Sequence, residues 1–245
     1  MARLNSFHLP PSSWPAHDGL AVLDGPEARH LLGVLRAKPG ETVRLFDGRG
    51  RHGLFEIVAV SGKNRAELRR VSEDFEPRPA GGVTLALGWS KSSRRDWLLE
   101  KAVELDALGL VFWQAARSQG DVPPEPKESW SEKCVQAAKQ CQSAWLPELS
   151  VVQGGVDGLL RIAAGHDGCY VLYEGSDPED VLDPRELARG RSLVVLGPEG
   201  GLEEREVTRL TGAGFRARSL GPRPLRWETA ALSCLALAHH ARLKP

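Results

Sequence analysis

The chain has 245 residues, 41% of them hydrophobic, which is enough for a sizeable buried core in one large domain or two modest ones. Its 32 Lys and Arg balance 32 Asp and Glu, so net charge argues neither for nor against an anionic partner and the local distribution has to decide. No apolar run is long enough to cross a bilayer as a helix, and no apolar stretch follows the polar start MARLNSFH; the pattern predicts a cytoplasmic protein with no membrane partner.

The first 72 residues alternate short apolar runs with Gly and charged turns, at 19–23, 42–46, 53–60 and 65–71. That rhythm predicts a small β-rich domain. Its one helix is expected over 26–36, where Ala28, Leu31, Leu32 and Leu35 recur at helical spacing and Pro39-Gly40 stops the run. Arg29, Arg36, Lys38, Arg44, Arg49 and Arg51, with His30 and His52 among them, outnumber Glu41 and Asp47. A solvated face would produce the same cluster, yet an anionic polymer would prefer this stretch. The segment GRGRHG at 48–53 satisfies GxGxxG literally, but it precedes a strand and opens no helix, so it reads as a hairpin turn. Residues 73–82, with Glu73, Asp74, Glu76, Pro77, Pro79 and a Gly pair, have the composition of a linker.

From Val83 onward strands and helices alternate. Strands are expected at 83–89, 109–114, 149–152, 169–173, 193–196 and 215–220, and helices at 94–108, 128–144, 156–163, 203–211 and 228–243. Such alternation predicts an α/β domain over 83–245 with a mostly parallel sheet covered on both faces. The helix at 94 is opened by Ser93 with Asp96 three residues on, and Trp97, Leu98, Lys101, Ala102, Leu105 and Leu108 are expected on its inner face. Cys134, Cys141, Cys169 and Cys234 show no CxxC spacing, so reduced thiols are expected, with Cys134 and Cys141 packing as small hydrophobes. His239-His240 lacks partner ligands at recognisable spacing, and no metal is expected.

Two motifs carry the chemistry. GPEGG, from Gly197 through Pro198, Glu199 and Gly200 to Gly201, closes the apolar run that ends at Leu196, which is where open α/β sheets bind ligands. No Gly-Lys-Ser/Thr follows it, and Glu203 and Glu204 would repel a phosphate at the next helix start, so a triphosphate is disfavoured. LGPRPLRWETA, residues 220–230, repeats the arrangement after the next apolar run and sets Arg223 and Arg226 beside a helix whose first turn holds Glu228 and Thr229. Capping explains Glu228 and Thr229, and solvation explains one arginine. Two guanidinium groups favour an anionic or nucleotide substrate.

With these motifs the chain resembles the RsmE family of 16S ribosomal RNA (uracil-N3)-methyltransferases, in the SPOUT superfamily. The resemblance rests on Arg3 and Phe7, on ARHLLGVLRAKPGETVRLFDGRG at 28–50, on Glu100-Lys101 with Glu104-Leu105, on Ala137-Ala138-Lys139-Gln140, and above all on GPEGG and LGPRPLRWETA together. It implies an N-terminal PUA-like β-barrel that binds RNA, over residues 1–72, and a SPOUT methyltransferase domain with a C-terminal trefoil knot, one of the rare knotted folds. It implies S-adenosyl-L-methionine held by Leu172, Tyr173 and Glu174, by Leu196 and the five residues of GPEGG, and by Leu220, Gly221, Leu225 and Thr229. It implies a homodimer acting on 16S rRNA or the small ribosomal subunit, with Arg3, Arg29, His30, Arg36, Lys38 and Arg223 as RNA contacts. For the reaction, Arg226 is expected to stabilise the developing uracil anion; Glu228 would orient Arg226 or take the proton, unless it is only a helix-start carboxylate. Another SPOUT activity and a noncatalytic RNA-binding or ribosome assembly factor are the alternatives. Against the family's usual pattern stand Trp227 for a smaller residue, Glu203 for a capping Thr or Ser, Asp106 for Gly, Ala116 for an acidic residue, and Gln142-Ser143 for Gly-Arg.

Overall fold

A computed structural model of the chain describes residues 4–16, 19–91, 94–177 and 179–243. They fall into two compact units, one reaching to Arg78 and taking in Val135–Leu146, the other made of Pro79–Cys134 and the chain from Pro147 onward.

The first unit is a five-stranded sheet of β1 (Ser6–His8), β2 (Ala21–Asp24), β3 (Thr42–Phe46), β4 (Arg51–Ser61) and β5 (Arg65–Phe75), in the order β1-β3-β4-β5-β2. All pairs are antiparallel except β1 with β3. Along β4 the alternation of Gly53, Phe55 and Ile57 inward with Leu54, Glu56 and Val58 outward is the period of two that a half-buried strand requires. Phe7, Leu45, Phe55, Ile57 and Leu68 form its core, with Trp14 meeting Phe55 edge-on. Gly53 has a steric cause, since a Cβ there would sit 2.2 Å from the Ser72 carbonyl oxygen, where the β4–β5 register shifts. The helix expected over 26–36 is a short α1 (Gly25–Arg29) continued by a π-helical turn, His30–Val34, whose wider loop is closed by Leu35 N–H donating to His30 O. Residues 48–50 of the GxGxxG stretch lie in the β3–β4 turn, as its context predicted, while 51–53 already belong to β4.

Two boundaries differ from the sequence expectation. Strand β5 runs on through Phe75, and Glu76 N–H donates to Gly50 O, so the acidic tract expected to open a linker at 73 is partly sheet. Residues 135–146, expected in the second domain, belong to the first unit. Lys139 Nζ lies 2.9 and 3.0 Å from the two Glu27 carboxylate oxygens and 5.0 Å from the centre of the Phe7 ring, and Trp145 Nε1 donates to Glu76 O at 2.8 Å. These contacts join residues far apart in sequence, which no local pattern reveals.

The second unit is a six-stranded sheet of β6 (Gly82–Gly88), β7 (Gly109–Trp113), β8 (Glu148–Val152), β9 (Gly168–Leu172), β10 (Arg191–Leu196) and β11 (Arg216–Arg218), in the order β11-β9-β10-β6-β7-β8 with every pair parallel. β6 and β7 are buried along their whole length, as parallel strands covered on both faces must be. Its helices are α2 (Arg94–Glu104), α3 (Glu128–Cys141), α4 (Gly155–Ala163), α5 (Pro184–Ala188), α6 (Glu204–Gly212) and α7 (Trp227–Leu243), of which α3 ends in the first unit. α7 packs on α2, α5, β6 and β10, while α4 packs with α6. Leu193 and Val195 enter the cluster built with Val171, Leu210 and Phe215.

α2 is shorter than expected and is rotated in its burial. Leu98, Leu99, Ala102 and Val103 are buried, whereas Trp97, expected inward from the sequence, is 41% exposed. The helix stops in a Schellman arrangement, with Ala107 N–H donating to Ala102 O and Asp106 N–H to Val103 O while Asp106 takes φ +54°. Leu105 and Leu108 therefore lie beyond it. The expected cap Ser93 lies outside the described residues. Cys134 is buried as expected but Cys141 is exposed, because its position is on the solvent side of the last turn of α3. β1 and α5, of three and five residues, are too short to carry a period and have no counterpart in the sequence expectation.

Candidate active site

Because β11, β9 and β10 are adjacent and parallel, their carboxyl ends lie side by side: Arg218 pairs with Leu172, and Val195 with Val171. The loops that leave these ends hold the predicted cofactor residues, placed together at the crevice where open α/β sheets bind ligands. Leu172 and Tyr173 are half-buried and Glu174 is exposed; Leu196 and Pro198 are buried, Gly197 half-buried, and Glu199 and Gly200 exposed; Leu220 and Gly221 are half-buried. From β11 the chain is tied to the β9–α5 connection by Ser219 N–H donating to Asp180 O and Leu182 N–H donating to Ser219 O. It then passes the end of β9 to reach α7, on the face of β6 and β10.

The glycines of GPEGG do different jobs from the single one the sequence suggested. A Cβ on Gly197 would come within 2.9 Å of Leu202 Cγ, and one on Gly200 within 3.2 Å of Arg117 Cβ, so both serve packing within the protein. Across the loop, a Cβ on Gly88 at the end of β6 would lie 2.4 Å from Pro198 N. Gly201 and Gly221 are the open ones, at φ +73° and +118° with nothing within 4 Å of where a Cβ would stand. Gly201 N–H donates to Pro198 O, and Gly221 N–H donates to Ser219 Oγ at 3.0 Å.

One residue that the sequence reading missed anchors this loop. Glu206 is 7% exposed, and its carboxylate accepts from Ala116 N–H at 2.9 Å and from Glu203 N–H at 2.9 Å. It thus closes the start of α6 and pins the 115–118 segment, while Arg117 Nη1 donates to Gly200 O at 3.1 Å. The i, i+3 spacing of Glu203 and Glu206 is the only signal in the sequence that could have found it. Glu203 therefore opens the helix by donating this bond from its own N–H.

Where the third of these loops runs into α7, and where α2 begins, is a cavity of about 570 Å³ lined by Arg94, Trp97, Arg226, Glu228, Thr229 and Leu232. The predicted pair of Arg226 and Glu228 meets here, with Thr229. The charge pairing differs from the expectation: Glu228, with 9% of its side chain exposed, has its Oε1 2.9 Å from Arg94 Nη1. Arg226, Arg223 and Leu225 are exposed, whereas Trp227 is buried in the first turn of α7. Arg29, Arg36 and Lys38 are not buried in the first unit; His30 is half-buried, 5.7 Å from the Phe7 ring centre with its Nδ1 3.5 Å from Lys139 Nζ, and Arg3 lies outside the described residues. Among the described residues no three His, Cys, Asp or Glu side chains gather in a metal-binding arrangement, and no helix is long and apolar enough to cross a membrane.

A parallel sheet with three neighbouring strand ends and an arginine-lined cavity, in a chain that also carries a small β-rich unit, is the frame of an RNA methyltransferase of the SPOUT type. The chain matches the RNA methyltransferase domain over residues 76–239 and the RNA methyltransferase PUA domain over residues 23–69. It is 31% identical to the ribosomal RNA small subunit methyltransferase E of Bacillus subtilis, with 87% of each chain covered, and 42% identical to that of Aquifex aeolicus, covering 89% of this chain and 93% of the relative. The crystal structure of a ribosomal RNA small subunit methyltransferase E from Neisseria gonorrhoeae bound to S-adenosyl methionine superposes with a TM-score of 0.78, at 27% identity and 95% coverage of both chains. The chain belongs to the ribosomal RNA small subunit methyltransferase E family.

Proposed function

We propose that this protein transfers the methyl group of S-adenosyl-L-methionine to N3 of a uridine in the RNA of the small ribosomal subunit, acting in the cytoplasm as a homodimer. The observation that carries the reading is the convergence of three loops at the ends of β9, β10 and β11, the last of which leads into a cavity that holds Arg226. The loops fit an adenosyl ligand chemically, with half-buried apolar side chains at Leu172, Tyr173 and Leu220 and unobstructed left-handed backbone at Gly201 and Gly221. When bound, the sulfonium supplies an activated methyl group, so no metal is needed.

The protein's own residues must then hold the base and favour its anion. Uracil N3 is an imide nitrogen, protonated at neutral pH. Its proton departs to solvent or a base, its lone pair forms the new N–CH3 bond, and the sulfur–methyl bond breaks with its electrons staying on sulfur, giving a neutral thioether and one released proton. The guanidinium of Arg226 stabilises the charge that develops on the ring oxygens. Arg29, Arg36, Lys38 and Arg223 contact RNA phosphates, which fix orientation without reading sequence.

Mass spectrometry of small-subunit rRNA from a deletion strain tests the assignment: N3-methyluridine should disappear and return on complementation. Its persistence would reassign the target to another RNA or another atom. Calorimetry with S-adenosyl-L-methionine separates an enzyme from an assembly factor, since heat of binding is expected and silence at millimolar ligand points to the noncatalytic alternative.

A further inference from the structure

We propose that Arg94, fixed by the buried carboxylate of Glu228, is a second guanidinium of the uracil site, and that Trp97 is the wall on which the base stacks. This rests on the N3-methylation reading above and deepens it. Neither Arg94 nor Trp97 belongs to GPEGG or to LGPRPLRWETA; both come from the first turn of α2, far upstream in the chain, and only the fold brings them to Arg226.

The pairing of Glu228 with Arg94 decides the role of Glu228. A carboxylate that is 9% exposed and 2.9 Å from a guanidinium is already engaged as a counter-ion, and handing it the imide proton would leave Arg94 beside a neutral acid. Glu228 is thus a positioning residue. Arg94 has a different character: its side chain is 54% exposed, held by Glu228 and lining the cavity at the same time. A guanidinium has five donors in a planar fork, and a carboxylate can occupy one side of that fork while another addresses a ring oxygen. With Arg226 on the same cavity, two positive groups and one buried negative group leave a net positive site, which suits a uracil ring as it loses its N3 proton.

Trp97 supplies the apolar half. An indole 41% exposed at the rim of a 570 Å³ cavity, on a helix whose other large apolar residues are buried, leaves a planar surface uncovered. Leu232 of α7 completes the apolar lining. A base turned out of its stack needs such a surface, because an aromatic ring replaces the neighbouring bases it has left behind in the RNA.

The test is steady-state methylation of small-subunit RNA or subunits by the full-length protein, with kcat and KM taken from about pH 6.5 to 9.5, and calorimetry of S-adenosyl-L-methionine on each variant. Arg94→Ala should lower kcat by about 100-fold at pH 7, the size of loss seen when one charge-stabilising donor is removed. The deficit should shrink as pH rises and the imide ionises unaided, and Arg94→Lys should restore part of it. Glu228→Gln should shift the pH profile in the same direction by less, with cofactor affinity unchanged. If Glu228 were instead the proton acceptor, Glu228→Gln would lower kcat at pH 7 further in the Arg94→Ala background, whereas a residue that acts only through Arg94 adds no loss there. Trp97→Ala should raise KM for RNA by about 10-fold with little change in kcat, and Trp97→Phe should rescue it. An active wild type whose Arg94→Ala and Arg94→Lys variants keep its rate and pH profile overturns the inference. A wild type that binds cofactor and forms no N3-methyluridine overturns the underlying reading instead.

Discussion

At the scale of single residues, the departures from the family's pattern separate into backbone and chemical effects. Asp106 and Gln142 stand where the resemblance implies glycine, and both adopt left-handed backbone, φ +54° and +61°, at the ends of α2 and α3. A non-glycine residue there costs about 1–2 kcal/mol of local strain, against about 0.5–1 kcal/mol of chain entropy that glycine would lose on folding. Gln142→Gly should therefore raise stability by about 0.5–1 kcal/mol, seen as a higher urea midpoint at constant slope. Asp106→Gly should gain much less, because its carboxylate lies 3.1 Å from His239 Nδ1 and 3.5 Å from Arg242 Nη2, although at 41% exposure these contacts are worth at most about 1 kcal/mol. Equal gains at both sites would show that the Asp106 contacts contribute nothing. The other residue-level test concerns Arg226: Arg226→Ala should reduce methylation by at least about 100-fold while calorimetry finds cofactor affinity nearly unchanged. Retained activity would show that its role is elsewhere.

At the scale of elements, the sequence discloses what has a period or a punctuation mark and conceals what depends on distant partners. The strands 42–46 and 109–113 and the long α7 are legible because burial on one or both faces writes itself into the apolar pattern. GPEGG and LGPRPLRWETA are legible as loops because Gly and Pro mark turns. The Arg94–Glu228 pair is not, since an ion pair between residues so far apart in the chain leaves no local trace. Nor is the function of Glu206, which looks like one more acid in a helix start. Its carboxylate accepts two backbone N–H groups from different segments, so Glu206→Ala would leave the Ala116 and Glu203 N–H groups without their part-buried acceptor. In a part-buried place each lost bond costs about 1–2 kcal/mol. The expected loss is about 2–4 kcal/mol, measurable as a clear fall in Tm, and Glu206→Gln, which keeps one acceptor oxygen, should lose about half as much. A neutral Glu206→Ala would mean that water replaces both bonds. The same geometry revises the view of Gly200: an added side chain there presses on Arg117 first, so loss of cofactor binding in a Gly200 variant would report a displaced loop rather than a filled pocket.

At the scale of the whole molecule, two separate cores imply that a ligand of the second unit protects that unit's own thiols in particular. Burial pushes the thiols of Cys134 and Cys234 up to about 12, so at pH 8 both are protonated as well as inaccessible, and they react only when the second unit opens. Cys141 lies in the first unit and is exposed, so it is modified in the folded protein and serves as an internal reference. A ligand that binds only the folded second unit reduces the open population by the factor 1 + [L]/Kd. In dilute urea, S-adenosyl-L-methionine at about 100 times its Kd should therefore slow maleimide labelling of Cys134 and Cys234 by about 100-fold, while Cys141 labels at its original rate. Mass spectrometry of the digested protein reads the three sites separately. Slowing of Cys141 alone would place the ligand on the first unit, and no slowing anywhere would mean that the three loops at the ends of β9, β10 and β11 do not hold the cofactor.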